Sequence, residues 1–277
     1  MAAGQEFRFA KIVGQVFLVA LSLFTLFPIY YIVTASLKGK EEYLLNNLGL
    51  PHGVALENFR SLFADFAFVR WLVNSVLVTS LVLVFGLLVC CLAAFALRRY
   101  TFRIKGLLLR FIASLMLIPP IIAIVPLFEF FVRIRLINSL AGVIIIYIGF
   151  IIPFTIYLVY SFFVTIPGEM IEAGVIDGCR DLRLLFWIFI PLSVPAIVTS
   201  IVVNAMWVWN DLLMAMVFLQ SDRLKTLMAG LIAFRSRSNI NLPLVMAGLL
   251  VSTIPIAALY LSGQRLFIKG LMTGLEK

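Results

Sequence analysis

The sequence has little charge, a single histidine and three cysteines. Only 13% of its 277 residues are Asp, Glu, Lys or Arg, whereas soluble domains carry about 25%. With His52 alone, histidine-based metal binding or acid–base catalysis has almost nothing to work with. Cys90, Cys91 and Cys179 have neither the pairing of a disulfide framework nor the spacing of zinc ligands. These absences exclude disulfide scaffolds, zinc modules and most histidine-dependent enzymes.

The sequence also lacks the motifs of an ATPase or a hydrolase. A phosphate-binding loop needs G-x-x-x-x-G-K-[ST], because its backbone amides and lysine hold the phosphates, and no such stretch occurs. Neither a Ser/His/Asp set nor a catalytic pair of carboxylates presents itself. We therefore expect no enzyme activity, no catalytic residue, no metal site and no cofactor on this chain.

Apolar residues make up 63% of the sequence, and its mean hydropathy is +1.13. A helix needs roughly 20 apolar residues to cross a bilayer core about 30 Å thick. Runs of that length predict an all-α membrane protein with a single domain over residues 1–277. The six predicted spans are residues 12–35, 71–97, 111–132, 137–166, 184–210 and 242–264. Pro119, Pro120 and Pro126 further predict a broken third helix that lines a cavity.

The formal net charge of +9 does not point to nucleic acid in such a chain. Basic residues flank membrane spans on the cytoplasmic side, and no separate basic and aromatic module is present. The loop "RRYTFRIKGLLLR" at residues 98–110 holds five Lys or Arg and no acid, which predicts a cytoplasmic position. With six spans, the charged segment at 167–183 and both termini are then cytoplasmic too.

That charged segment predicts a short surface helix over about residues 167–178. Pro167 suits the first helical position, and Gly178 can end the helix in a left-handed conformation. A helix of that length spans only about 16 Å, too little for a bilayer. Ala173 and Gly174 leave room for the backbone of another protein to come close. Asp181 is expected to cap the fifth span.

Pro191 and Pro195 are expected to bend the fifth span, since each removes a backbone hydrogen bond. A surface helix joined through Gly178 to a bent span suits the transmission of movement from a cytoplasmic partner. A loop that only covers the bundle is the plainer interpretation of the same residues.

The segment resembles the cytoplasmic EAA loop of ABC importer permeases. Glu172, Ala173, Asp177, Gly178 and Pro191 match that pattern in identity and spacing. Two positions depart from it, because Gly174 replaces the second alanine and Cys179 replaces a small residue. In that family the helix docks in a cleft of the ATPase, and the resemblance implies this role for ten residues: Glu169, Ile171, Glu172, Ala173, Gly174, Val175, Asp177, Gly178, Cys179 and Arg180.

Further stretches, in order along the chain, resemble the carbohydrate-uptake permeases of the maltose-type second subunit. They include "LENFRSLF" at 56–63, "AAFALRRYTF" at 93–102, "IPPIIAIVPLF" at 118–128, "WNDLLMAMVFL" at 209–219 and "FIKGLMTG" at 267–274. The resemblance implies a type I ABC importer permease fold with six transmembrane helices and a cytoplasmic coupling helix, in a bacterial inner membrane. It implies four kinds of partner: a second permease subunit, two ATP-binding cassette subunits that hold ATP and Mg²⁺, an extracytoplasmic solute-binding protein and membrane lipid.

A substrate path for a sugar should offer hydrogen bonds and aromatic faces. Asn204, Trp207, Asn210 and Asp211, near one end of the fifth span, fit that description. The other interpretation is structural, since tryptophan gathers at membrane interfaces and Asn or Asp caps helices. An ion-driven secondary transporter is the alternative function, although the span centres are almost free of the ionisable groups such proteins use.

Overall fold

The structure is a computed structural model that describes residues 2–64, 67–236 and 241–275, which form helices and connecting turns without a strand. Two irregular helical segments interrupt the series, a 3-10 turn at Pro120–Ala123 and a π-helical turn at Leu185–Phe189. The α-helices in chain order are α1 (Ala2–Ser36), α2 (Lys40–Leu45), α3 (Glu57–Ala64), α4 (Phe68–Arg99), α5 (Lys105–Leu115), α6 (Ile124–Arg133), α7 (Leu140–Thr165), α8 (Gly168–Ile176), α9 (Asp181–Leu184), α10 (Ile190–Leu192), α11 (Val194–Asn210), α12 (Leu213–Phe218), α13 (Leu227–Ser236) and α14 (Leu242–Leu275).

Four of these helices are long and apolar enough to cross a membrane within the described residues, namely α1, α4, α7 and α14. Two further spans are bent pairs of helices. Lys105–Leu115 meets Pro120–Arg133 at 92°, and Asp181–Leu192 meets Val194–Asn210 at 79°. If each bent pair is one span, the total is six, as the sequence predicts.

The helices begin and end outside the predicted spans at several points. The third span starts at Lys105 rather than residue 111, and α14 continues to Leu275 rather than 264. A count of uncharged residues marks only the stretch that suits hydrocarbon, whereas a helix can extend beyond it and carry charge in its terminal turns.

The third span is broken at its prolines, as predicted. Helix α5 ends at Leu115, and Pro119 has an extended backbone with φ −62° and ψ 132°. The residue before a proline is disfavoured in the α region, so Pro120 keeps Pro119 extended and prevents the helix from continuing. The chain resumes as a 3-10 turn at Pro120 and becomes α6 at Ile124.

The fifth span is bent by 79° close to Pro191, as predicted for that residue. Pro191 cannot donate a backbone hydrogen bond to the preceding turn, and the π-helical turn Leu185–Phe189 lies directly before it. The bend falls at Ser193, whose φ of −106° and ψ of 17° leave the helical region. Pro195 sits in the first turn of α11, where a missing N–H costs nothing.

The chain divides into two compact units. One comprises Met1–Phe66 with Leu231–Thr253, and the other Ala67–Gly230 with Ile254–Lys277. The second unit is built on the pairing of α4 with α7. Gly86 of α4 allows close packing, because a Cβ there would lie 2.5 Å from the Cδ1 of Ile151 in α7. This unit contains both candidate sites.

Candidate functional site

The short helix α8 has the predicted position and the predicted end. It begins at Gly168, so Pro167, with ψ 140°, precedes the first helical residue instead of occupying it. Gly178 is left-handed with φ +78°. The N–H of Cys179 donates to the carbonyl of Gly174 at 2.9 Å, and that of Gly178 donates to Val175 at 3.0 Å. This pair of bonds is a Schellman motif, which fixes the direction in which the chain leaves α8.

The inner face of α8 packs against the start of the fifth span. Ile171 and Gly174 are buried, and Ile171 belongs to a hydrophobic cluster that includes Leu184. A Cβ at Gly174 would lie 2.6 Å from the Cδ1 of Ile188 and 2.8 Å from the Cδ2 of Leu184. The room at Gly174 is therefore used by this chain's own side chains. The expectation that another protein's backbone approaches there is wrong for Gly174, because its surface is already covered.

The outer face of α8 is open. Seven of the predicted coupling residues are exposed: Glu169, Glu172, Ala173, Val175, Asp177, Gly178 and Arg180. Cys179 is half-buried. Two apolar side chains outside the predicted set are also exposed, Met170 at 44% and Ile176 at 85%. Sequence reasoning missed Ile176, although an isoleucine directly before Asp-Gly on a charged surface helix is a readable signal.

The last turn of α4 holds the chain just before α8. The Nε of Arg98 donates to the carbonyl of Phe163 at 3.1 Å, and its terminal nitrogen donates to Ile166 at 3.2 Å. These carbonyls lie at the C-terminal end of α7, where a helix leaves acceptors unsatisfied. A planar guanidinium can serve two such acceptors at once. In the sequence, Arg98 indicated only the orientation of the chain, as part of the basic loop at 98–110.

The same end of α4 also holds the chain just after α8. The hydroxyl of Tyr100 donates to the Oδ2 of Asp181 at 2.6 Å, and the Nε of Arg99 lies 3.4 Å from Oδ1. By accepting this bond, the Asp181 carboxylate raises the pKa of the Tyr100 phenol. Asp181 is the first residue of α9 and makes no capping bond to its backbone, so the expectation that it caps the fifth span is wrong. Its carboxylate is held by α4 instead.

A cleft of about 580 Å³ lies beside the break in the third span. Its walls come from α5, α6, α7, α11 and the turn between α5 and α6. Most of the lining is apolar, with aromatic rings from Phe131, Phe150 and Phe154. Leu115, Ile118 and Pro120 line it too, so the broken third span does line a cavity, as predicted.

Two of the four predicted path residues line this cleft. Asn204 is buried and donates through Nδ2 to the Oγ1 of Thr155 at 2.8 Å. Trp207 is half-buried, with its ring edge-on to Tyr147 at 5.6 Å and tilted against Phe150 at 5.9 Å. The cleft thus carries one amide and an indole among apolar walls.

The other two predicted path residues, Asn210 and Asp211, are not part of the cleft lining. Asn210 is exposed and donates to the carbonyl of Met206 in its own helix at 2.8 Å. Asp211 accepts a 2.7 Å bond from the hydroxyl of the fully buried Tyr147 and a 3.1 Å bond from the N–H of Ala215. These bonds tie the end of α11 to α7 and to the start of α12.

Among the described residues, no group of three or more His, Cys, Asp or Glu side chains is placed to hold a metal ion. Three buried or half-buried cysteines, Cys90, Cys91 and Cys179, are all free.

Comparison with known proteins gives consistent matches along almost the whole chain. Residues 86–272 match the model of a family described as binding-protein-dependent transport system inner membrane component. The melibiose/raffinose/stachyose import permease protein MelC of Bacillus subtilis is 32% identical over 256 residues, which cover 90% of this chain and 91% of that protein. The diacetylchitobiose uptake system permease protein NgcG of Streptomyces coelicolor is 30% identical over 267 residues, covering 95% and 88%.

A solved structure has the same fold. One chain of a bacterial ABC transporter involved in the import of the acidic polysaccharide alginate superposes with a TM-score of 0.82. The match covers 93% of this chain and 96% of that one, at 25% sequence identity.

Proposed function

The chain belongs to the family of binding-protein-dependent transport system inner membrane components, and we propose that it forms one transmembrane half of an ATP-driven importer for a sugar or a sugar-like solute. Family membership and the shared fold make it an ABC importer permease, and they set aside the ion-driven alternative. The choice of solute class rests on relatives whose names specify melibiose, raffinose, stachyose and diacetylchitobiose.

The coupling role rests on the two unlike faces of α8. Ile171 and Gly174 anchor the helix to the fifth span, while the opposite face is exposed, with Ile176 at 85%. An exposed apolar side chain among charges is the pattern of a helix that docks in a groove. The partner in this proposal is an ATP-binding cassette subunit, which also holds the ATP and Mg²⁺.

Movement of that partner would reach the membrane through a short chain of contacts. Any displacement of α8 is passed by Gly174 to Leu184 and Ile188, at the start of a span that is already bent at Ser193. A span with a break of this kind can change its angle without unravelling a continuous helix. This path supports the proposal that ATP-driven closure alters access to the cleft.

The substrate path in this proposal is the cleft that Asn204 and Trp207 line. Aromatic rings bind the apolar faces of sugars, and the amide can meet a hydroxyl. One amide is too little to bind a solute rich in hydroxyl groups, so further polar groups must come from the second permease subunit. An extracytoplasmic solute-binding protein delivers the solute, and a heterodimer of permeases is the proposed core.

We place both termini in the cytoplasm, because the basic loop at 98–110 then follows the positive-inside rule. Arg98, Arg99 and Tyr100 at its start hold the segment that contains α8, so the loop and α8 belong to the same side.

Ile176→Asp tests the coupling role directly. The side chain is almost fully exposed, so the folded permease should tolerate the change. Burying a carboxylate in a partner's groove is costly, so the variant should copurify with little ATPase and lose transport. Leu56→Asp, at a residue 65% exposed and outside α8, is the matched control and should retain both. ATPase binding and transport at wild-type levels in Ile176→Asp would refute the assignment.

A further inference from the structure

The segment between α1 and α3 carries an apolar surface that the transport mechanism does not use. Leu44, Leu45, Leu48 and Leu50 are 73%, 91%, 54% and 69% exposed, and no charged residue occurs between Tyr43 and Pro51. Four exposed leucines within seven residues concentrate apolar surface in one short segment, which is unusual on a soluble surface. We call residues 44–50 the leucine tip.

The position of the leucine tip along α1 can be read from its contacts. The hydroxyl of Tyr30 donates to the carbonyl of Leu48 at 3.0 Å, and the hydroxyl of Tyr31 bonds to that of Tyr43. The chain therefore leaves α1 at Ser36 and folds back along it by about six residues, or roughly 9 Å.

The length of α1 places that level near one edge of a hydrocarbon core. From Lys11, the last charged residue before the apolar stretch, to Tyr30, α1 is roughly 29 Å long at about 1.5 Å per residue. The hydrocarbon core is about 30 Å thick, and tyrosine is enriched at its edges. With Lys11 at one interface, Tyr30 and the leucine tip lie at the other.

Four carbonyls of the leucine tip, those of Asn46, Leu48, Gly49 and Leu50, accept hydrogen bonds from side chains, which lowers the cost of placing a non-helical segment at membrane depth. The ammonium of Lys38, whose side chain is fully buried, donates to the carbonyls of Asn46 and Gly49 at 2.7 and 2.6 Å. The Asn46 side chain accepts from the N–H of Gly49 at 2.8 Å and donates to the carbonyl of Leu50 at 3.4 Å. The N–H of Asn46 donates to the carbonyl of Glu42, and the carbonyl of Leu48 accepts the bond from the hydroxyl of Tyr30.

The exposed residues of α2 change from charged to apolar along the helix, with the apolar end toward the leucine tip. Lys40 and Glu41 are exposed at its start, near the level of Ser36, whereas Leu44 and Leu45 are exposed at its end, near Tyr31. A helix descending from the headgroups into the acyl chains needs this order of polar and apolar residues.

From these contacts we propose that the leucine tip inserts into the lipid leaflet opposite Lys11, with the Lys38 ammonium bound to two of its carbonyls from inside the protein. The occupant of the patch is the acyl-chain region of the bilayer. The tip thereby fixes the depth of α1 and the angle at which the connection to α3 leaves the membrane.

Depth-dependent quenching tests this proposal in the assembled importer, reconstituted in nanodiscs of phosphatidylcholine and phosphatidylglycerol. Leu45→Cys is labelled with a small environment-sensitive fluorophore, in a Cys179→Ser background because the other two cysteines are buried. Lys40→Cys is the matched control at the opposite end of α2. Lipids that carry a nitroxide near the headgroup end of the acyl chain report contact with the membrane, and aqueous iodide reports water.

Nitroxide lipids should quench the probe at 45 at least about twofold more than the probe at 40, with iodide showing the reverse order. Stronger quenching at 45 by iodide would place the tip in water and overturn the proposal. Protection from both quenchers would overturn it as well, since the patch would then be covered by another protein subunit.

Discussion

Tyr100 and Asp181 are joined by a 2.6 Å hydrogen bond that ties the end of the second span to the beginning of the fifth. Two residues earlier, Arg98 binds the carbonyls of Phe163 and Ile166 at the end of the fourth span. One short stretch, Arg98–Tyr100, therefore holds both flanks of α8. A helix fixed at both flanks transmits a displacement to the spans on either side, whereas a free loop would absorb it.

Tyr100→Phe should uncouple transport from ATP hydrolysis. The substitution removes only the hydroxyl, and because Tyr100 and Asp181 are both partly exposed, thermal stability should stay close to that of the wild type. The ratio of solute transported to ATP hydrolysed should fall by roughly twofold, since a solvent-accessible hydrogen bond biases a conformational equilibrium only modestly. Proteoliposomes measure both rates. An unchanged ratio would show that the bond is incidental.

Arg98→Met should destabilise the permease by about 1–3 kcal/mol, because two carbonyls at the end of α7 lose a charged donor. Methionine keeps the length and the apolar part of the side chain. Arg98→Lys should recover part of the loss, since an ammonium lacks the planar fork that reaches both carbonyls. Unfolding in detergent, followed by circular dichroism, gives the comparison. Equal stability of the methionine and lysine variants would argue against the carbonyl clamp.

The sequence was a good guide to the spans and to both breaks. Spans depend on local composition, and the breaks depend on prolines that remove backbone hydrogen bonds wherever they occur, as Pro120 and Pro191 show. Gly178 was predictable for the same reason, because a left-handed helix end favours glycine locally.

Tertiary partners were not predictable in this way. Gly174 and Ala173 look alike in sequence, yet one is buried against Leu184 and the other is exposed. Asp181 had the position of a helix cap, and its true partner, Tyr100, lies 81 residues away in the chain. The burial of Lys38 could not be predicted from the sequence. It depends on two carbonyls, those of Asn46 and Gly49, that are brought to the ammonium only when the chain folds back along α1, and no local pattern specifies that turn.

Gly174→Val should weaken the anchoring of α8. A branched side chain at this position would overlap Ile188 and Leu184, and overpacking of this kind costs about 1–3 kcal/mol. Gly174→Ala should cost less, because its single methyl meets only the flexible ends of those side chains and alanine favours the helix by about 1 kcal/mol. Thermal unfolding of the two variants provides the ranking.

Adding Ile188→Val to Gly174→Val serves as the control, since it removes the Cδ1 atom that lies nearest the new side chain. The double variant should recover part of the lost stability. If the two changes were simply additive, the packing of Gly174 against Ile188 would not be the source of the defect.

Asp211→Ala should lower the stability of the permease, whereas Trp207→Phe should weaken transport of the solute. The two variants therefore distinguish a residue with a structural role from one that lines the substrate path. Asp211 accepts the hydroxyl of the fully buried Tyr147, so alanine leaves that donor unsatisfied and should cost about 1–3 kcal/mol. Asp211→Asn keeps an acceptor and should cost less. Neither change should alter the solute concentration for half-maximal transport, because Asp211 is not part of the cleft lining.

Trp207→Phe has the opposite expected profile. Phenylalanine keeps the packing against Tyr147 and Phe150 but removes the indole N–H and narrows the aromatic face toward the cleft. Thermal stability should change little, while the half-maximal solute concentration should rise, because a sugar loses both stacking area and a donor. Uptake by proteoliposomes that contain the full importer measures this concentration. If Asp211→Asn shifts it and Trp207→Phe does not, the solute passes along the end of α11, and the cleft beside the third span is not its path.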